Sequence, residues 1–318
     1  MKSLIVSLLL LFCVLTQSFA QQGLITCRMV ANSDRTVSIN VESLAYGDYT
    51  VKISFQNLQG YRGMGIFGDM GIFVVQRGTR ELVKLEPIKS ASSYSLGYTY
   101  SYFAGNYLNR APSDTGFLYL LPGTPNNIVR ISTVSSLESR LGKTSESAYI
   151  GTSFLYAPGD TICATRAGLV YECSDEAKEG ETVKEVFRSN RNRILIQQKD
   201  GTLARYMIRA PIKLLVDKGD NVIPGQPIAI FNKESERYEM ALAVEYLDGN
   251  KLSAIKDIAG EVPANRNPYR FLPTIFCIGE DGSSSALRVP NQTFKVAYPK
   301  ELIGKELTKK EKKKLGLI

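Results

Sequence analysis

Histidine is absent from all 318 residues, so any chemistry must come from carboxylates, amines, guanidinium groups, phenols, thiols and hydroxyls. Histidine-based acid–base catalysis, Ser/His and Cys/His nucleophile pairs, and the commonest zinc ligand are therefore excluded. The remaining candidate groups are Glu239 and Glu245, with Arg205, Tyr206 and Arg209 on a neighbouring predicted strand. The two glutamates share one face of the strand predicted from Tyr238 to Tyr246. An extended strand separates them by roughly 20 Å, too far for a glycosidase carboxylate pair. Between them that face carries Ala241 and Ala243, methyl groups where a site-building strand would carry functional side chains.

The elements that would position these residues read as β-structure. Hydrophobic residues make up 44% and charged residues 22%, with 26 Gly, 17 Tyr and 13 Phe and few long helical periodicities. From residue 21 to 112 short strands alternate. YTVKISFQNL (49–58) places Val51, Ile53 and Phe55 on one face, and GIFVVQRG, RELVKLEP and YSLGYTYSYF follow at turn-separated intervals. This spacing predicts an immunoglobulin-like β-sandwich. Its exposed tyrosines, Tyr94 to Tyr107, read as sheet packing. NRAPSDTG (109–116) marks a boundary, and SSLESRLGKTSES (135–147) reads as a polar surface loop. APGDTICATRAGLVYEC (157–173) predicts strand, turn and strand, so that Cys163 and Cys173 flank one hairpin. RILIQQK and TLARYMI are joined by Asp200-Gly201, a strong hairpin signal. LLVDKGDNVIPGQPIAIF (214–231) adds turns at Gly219-Asp220 and Pro224-Gly225, with Val222 and Ile228 pointing inward.

At the N-terminus, Lys2, the apolar run LIVSLLLLFCVL and Ser18-Phe19-Ala20 form a secretory signal pattern with cleavage expected after Ala20. The apolar run is too short to span a bilayer, so no transmembrane anchor is expected, and the protein is placed in the periplasm or cell exterior of a bacterium. Cleavage removes Lys2 and lowers the formal charge from +8 to +7. The KKEKKK tail (309–314) reads as a solvated helix end, and nucleic acid is not an expected partner. Four cysteines remain, Cys27, Cys163, Cys173 and Cys277. They allow three disulfide connectivities, and free buried thiols are an equal reading.

The order APGD-TICATRAGLVYE, DG hairpin, VDKGDNVIPGQPIA resembles the LytM/lysostaphin-type zinc endopeptidases of the duplicated-hybrid-motif fold, over about residues 117–280. The KGDNVIPGQPIA element is shared with biotinyl/lipoyl-type barrels. That carrier reading lacks its modifiable lysine, because the corresponding turn is Ala164-Thr165-Arg166-Ala167. Together with the signal pattern and the N-terminal strands, the resemblance gives an expected layout of residues 1–20 signal peptide, 21–112 β-sandwich, 113–285 peptidase-fold domain and 286–318 C-terminal strand and basic tail. It also implies peptide-bond cleavage in peptidoglycan by one zinc held by two histidines and an aspartate.

Carried onto this chain, the aspartate ligand falls on Ser153 and the first histidine within Ser145–Tyr149. The histidine of the Tyr-x-His-Leu strand falls on Ile208, and the His-x-His pair falls on Ala241 and Ala243. The resemblance thus implies a vestigial site at Ser153, Ile208, Ala241 and Ala243, flanked by groove residues Tyr149, Tyr206, Arg209 and Glu245. One hydroxyl and two methyl groups cannot offset the desolvation of Zn²⁺, so no cofactor is expected. The expected function is that of an exported pseudoenzyme, an envelope binding, scaffolding or hydrolase-regulating module with peptidoglycan or a cell-wall hydrolase as partner. The alternative is a family protein with residual or non-standard peptidoglycan hydrolase activity.

Overall fold

A computed structural model describes residues 23–109, 116–135, 150–175, 192–233, 237–255, 267–278, 284–285 and 291–318. The predicted signal segment, the boundary near residue 112, the polar loop and the Ser145–Tyr149 stretch lie outside the described residues. The chain is mainly β. Among the described residues no helix is long and apolar enough to cross a membrane.

The first half contains β1 (Ile25–Ala31), β2 (Val37–Ser43), β3 (Tyr49–Gln59), β4 (Tyr61–Gly63), β5 (Ile66–Phe67), β6 (Met70–Val75), β7 (Gly78–Pro87) and β8 (Ser95–Ala104). They form two four-stranded antiparallel sheets, ordered β1-β2-β7-β4 and β5-β6-β3-β8. The alternation read in β3 is the cause. Val51, Ile53 and Phe55 are buried, and they join Ile39, Val41, Val75 and Leu85 in one core shared by both sheets.

The second half contains β9 (Leu118–Tyr119), β10 (Ile128–Ser135), β11 (Gly151–Leu155), β12 (Thr161–Cys163), β13 (Gly168–Ser174), β14 (Asn192–Gln198), β15 (Leu203–Ile208), β16 (Ile212–Leu214), β17 (Asn221–Val222), β18 (Pro227–Phe231) and β19 (Glu239–Leu247). There follow α1 (Gly249–Ala254), β20 (Tyr269–Leu272), β21 (Ile275–Cys277), β22 (Ser284–Ser285), β23 (Thr293–Lys295), α2 (Lys300–Gly304) and α3 (Lys309–Lys314). Among the described residues the large sheet runs β17-β13-β14-β15-β19-β11-β10-β23, with β20 pairing to β19. The DG hairpin is there as read, β14 against β15, with Gly201 at φ +83° supplying the left-handed turn residue. Val222 and Ile228 are buried, as their positions in the turns suggested. The lysine-rich tail forms α3, opened by a Thr308–Glu311 capping box, with no residue buried.

The hairpin expected over 157–173 is a correction. β12 pairs with β18 in a three-stranded sheet, whereas β13 joins the large sheet beside β14 and β17. The chain crosses between sheets at Ala164–Ala167, where Ala164 bonds the backbone of Gln226 and Gly225 and the Thr165 N–H donates to the Tyr206 hydroxyl, instead of turning back on itself. Thr165 and Arg166 are almost inaccessible there. Cys163 and Cys173 consequently belong to different sheets. The four described cysteines are thiols outside any disulfide, three of them buried, and burial pushes the Cys27 thiol up to about 12.

The sheet has two different faces. On one, Phe154, Ile194, Ile196, Ala204, Tyr206, Ile208, Met240, Leu242 and Val244 form the larger apolar core with the three-stranded sheet. On the other, Tyr171, Leu195 and Leu203 belong to the core of the N-terminal sheets. The Tyr49 and Tyr171 rings stack there at 5.5 Å, and the Tyr171 hydroxyl donates to the Asp48 carbonyl at 3.0 Å. Gly47 permits this approach, because its φ is +75° and a Cβ would lie 1.8 Å from the Tyr171 ring.

Candidate functional site

Strand register decides which candidate residues meet. Ser153 on β11 is opposite Ala241 on β19, and Ala241 is opposite Met207 on β15. One row further along, Ala243 is opposite Arg205. Residues two apart on a strand share a face, so Glu239, Ala241, Ala243 and Glu245 lie in line, with Ser153, Met207 and Arg205 beside them. Ser153, Ala241 and Ala243 are thus brought together, and all three are buried.

Two expected members do not belong to this cluster. Ile208 is opposite Met240 and Tyr206 is opposite Leu242, so both point to the other face, into the larger apolar core. Each is 1% exposed. The Tyr206 hydroxyl accepts from the Thr165 backbone N–H at 2.9 Å and bonds the Thr165 hydroxyl at the same distance. Burial pushes this phenol up to about 12. Tyr206 is therefore a core residue that fixes the β12–β13 corner, and Ile208 is core filling. Tyr149 lies outside the described residues.

Both carboxylates in the row are held by arginines. Arg205 Nε donates to Glu245 Oε1 at 3.2 Å, with a second contact from Nη2 to the same oxygen. The Glu245 carboxylate beside it raises the Arg205 guanidinium further above its ordinary value, against the opposing effect of burial. At the far end Glu239 receives Arg209 at 3.3 Å and Arg237 at 2.7 Å. Both glutamate side chains are 2% exposed. Arg209 therefore reaches this face from just beyond β15, whereas Arg205 lies directly within it. The sequence named these groups singly, but the pairs join positions 40 and 30 residues apart. A strand reading does not disclose such pairings.

This donor set does not fit a zinc ion. The central positions offer one hydroxyl and two methyl groups, and the flanking carboxylates are engaged by guanidinium charge. Among the described residues no group of three or more Cys, Asp or Glu side chains could hold a metal. The Glu245 end is also covered by the chain itself. The N-terminal core reaches this face through Leu195 and Leu203, and the Tyr269 hydroxyl bonds the Ala104 carbonyl at 2.9 Å.

A second charged cluster escaped the sequence reading. Arg166, 4% exposed, donates to Asp200 at 2.8 Å, Gln198 at 3.0 Å and Tyr119 at 3.2 Å, and to Glu306 through Nε at 3.2 Å. Its guanidinium also covers the Phe117 ring at 3.8 Å. Burial alone would lower its pKa, but hydrogen bonding to Glu306 and the Asp200 and Glu306 carboxylates raise it. The cluster ties the C-terminal segment and the DG hairpin to the corner, with all three guanidinium nitrogens bonded to protein atoms. Its role is structural.

No family model and no curated protein matches the chain. Solved structures that match part of the chain include lysostaphin, at 15% identity and a TM-score of 0.25 over 50% of this chain. Another is a protein from Ruminococcus gnavus assigned as a glycyl-glycine endopeptidase LytM, at 18% identity and 0.27 over 42% of this chain. Csd3 of Helicobacter pylori matches at 10% identity and 0.28, over 76% of this chain and 78% of its own. The chain spans 61% of the lysostaphin structure and 53% of the Ruminococcus one. At such identities and TM-scores the likeness carries nothing about activity, and function must be read from the residues of the face itself.

Proposed function

We propose that the chain is an exported, non-catalytic relative of the LytM/lysostaphin-type endopeptidases, acting in the cell envelope as a binding, scaffolding or hydrolase-regulating module. The observation that carries this reading is the row Glu239, Ala241, Ala243, Glu245 beside Ser153. The resemblance puts metal and catalytic groups at its centre, and here the centre holds methyl groups. The complete lack of histidine removes any neighbouring imidazole as a substitute. The carboxylates left on the face are neutralised by Arg205, Arg209 and Arg237, which stabilise the sheet and leave no free base for activating water. Peptidoglycan, or a hydrolase that acts on it, is the proposed partner, and the envelope the proposed location.

The test is co-sedimentation of residues 21–318 with isolated peptidoglycan sacculi, followed by the same assay with a cell-wall hydrolase present. Binding to sacculi, or a changed hydrolase rate, is the expected result. Neither binding nor any effect on the hydrolase would overturn the envelope role.

A further inference from the structure

The N-terminal sheets have two neighbouring outer edges, and they are treated differently. On β1, the Leu44 N–H donates to the Leu24 carbonyl. Alternation then directs the polar groups of Ile25 and Cys27 outwards, away from β2. Their carbonyls are satisfied within the chain, by Tyr100 at 3.4 Å and Tyr98 at 3.0 Å. On β8, the Gly105 N–H donates to Asp48, and on β3 the Phe55 N–H turns away from β8 to Asp69. The same alternation directs the backbone N–H and C=O groups of Tyr98, Tyr100 and Tyr102 outwards. Among the described residues no strand pairs with that edge.

Natural sheets protect such edges with charge, proline or a bulge on the edge strand. SLGYTYSYFA has neither charge nor proline, and the local bulge lies on β3, between Phe55 and Asn57. Tyr102 is 40% exposed. The central stretch, Tyr98-Thr99-Tyr100-Ser101-Tyr102, is also nearly palindromic about Tyr100.

We infer that β8 is a self-association edge, pairing antiparallel with β8 of a second copy about a two-fold axis at Tyr100. In this register Tyr100 faces its own copy and Tyr98 faces Tyr102 of the second molecule. Each of these is a hydrogen-bonded pair, which gives roughly six new main-chain bonds. On the outer face Thr99 meets Ser101 of the second copy, a favourable hydroxyl pair, and no like charges oppose. Pairing stops at Ala104, whose carbonyl already accepts from Tyr269.

Sedimentation velocity of residues 21–318 over a wide concentration range is expected to give a reversible monomer–dimer equilibrium. Thr99→Lys with Ser101→Lys sets like charges opposite each other across the axis and is expected to weaken the dimer at least tenfold. Thr99→Lys with Ser101→Glu sets opposite charges there and is expected to restore it. Both variants change outer-face side chains, and unchanged melting would verify their folding. A chain monomeric at all concentrations overturns the proposal. So does a dimer equally indifferent to both charge arrangements, which would locate the contact elsewhere.

Discussion

The two faces of the large sheet are made by the same strands and are held together by different means. On one, Phe154, Leu242, Val244 and Tyr206 close an apolar core against the three-stranded sheet. On the other, two carboxylate–guanidinium groups stand at either end of an alanine row. The comparison teaches that one sheet can be closed by apolar packing on one face and by charge pairs at the margins of the other. Alternation along the strand brings two side chains to the middle of this face, and Ala241 and Ala243 fill the positions. Charge at the margins then becomes a means of holding the strands.

The face that depends on apolar burial should be the more fragile. Phe154→Ala is expected to cost about 3–5 kcal/mol, since the ring is inaccessible and packs edge-on against Phe276 at 5.3 Å. Denaturant unfolding would measure this, and a loss below about 1 kcal/mol would mean that the core can collapse around the cavity. On the opposite face Glu245→Ala leaves Arg205 without its carboxylate. The expected loss is about 2 kcal/mol, less than for a wholly buried pair because Arg205 keeps 29% exposure. Replacing both partners together, with Arg205→Met and Glu245→Leu, should recover most of that loss, and a double-mutant cycle reads the coupling.

A smaller effect should appear in acid. Burial by itself would raise the Asp200 carboxyl, but hydrogen bonds from Thr202 and the Arg166 charge outweigh it and hold the group below its ordinary 3.8. A lowered folded-state value gives a contribution that is complete above the unfolded value and lost as pH falls through the folded one. Melting temperature should therefore fall on acidification below about pH 4, and Asp200→Asn should flatten that part of the profile. An unchanged profile would remove Asp200 as a source of acid sensitivity. The smallest effect expected is that of Ser153→Ala, within about 0.5 kcal/mol and with no change in metal content. Any loss of bound metal in this variant would mean that the alanine row still holds an ion.

Much of this was legible from periodicity. The alternation of β3 and β19, the DG hairpin and the inward Val222 and Ile228 follow from residue order, because side-chain direction has a period of two along a strand. What joins one strand to the next is not written that way. Ile208 and Tyr206 were assigned beside Ala241 and Ala243, but the antiparallel register pairs them with Met240 and Leu242, on the other face. A one-residue difference in register exchanges the two faces. The corner at Ala164–Ala167 was read as a hairpin turn for a similar reason. Its fixing contacts come from Tyr206, Asp200 and Glu306, between 34 and 140 residues away. The pairings of Arg205 with Glu245 and of Arg209 with Glu239 were hidden in the same way, at 40 and 30 residues of separation.

The most direct test of the central claim combines metal analysis with hydrolysis. Residues 21–318 would be dialysed against zinc, the bound metal counted, and the same sample incubated with purified sacculi while soluble muropeptides are followed. The alanine row predicts no stoichiometric zinc and no release above the buffer control. About one zinc per chain together with muropeptide release would contradict it and identify a working hydrolase.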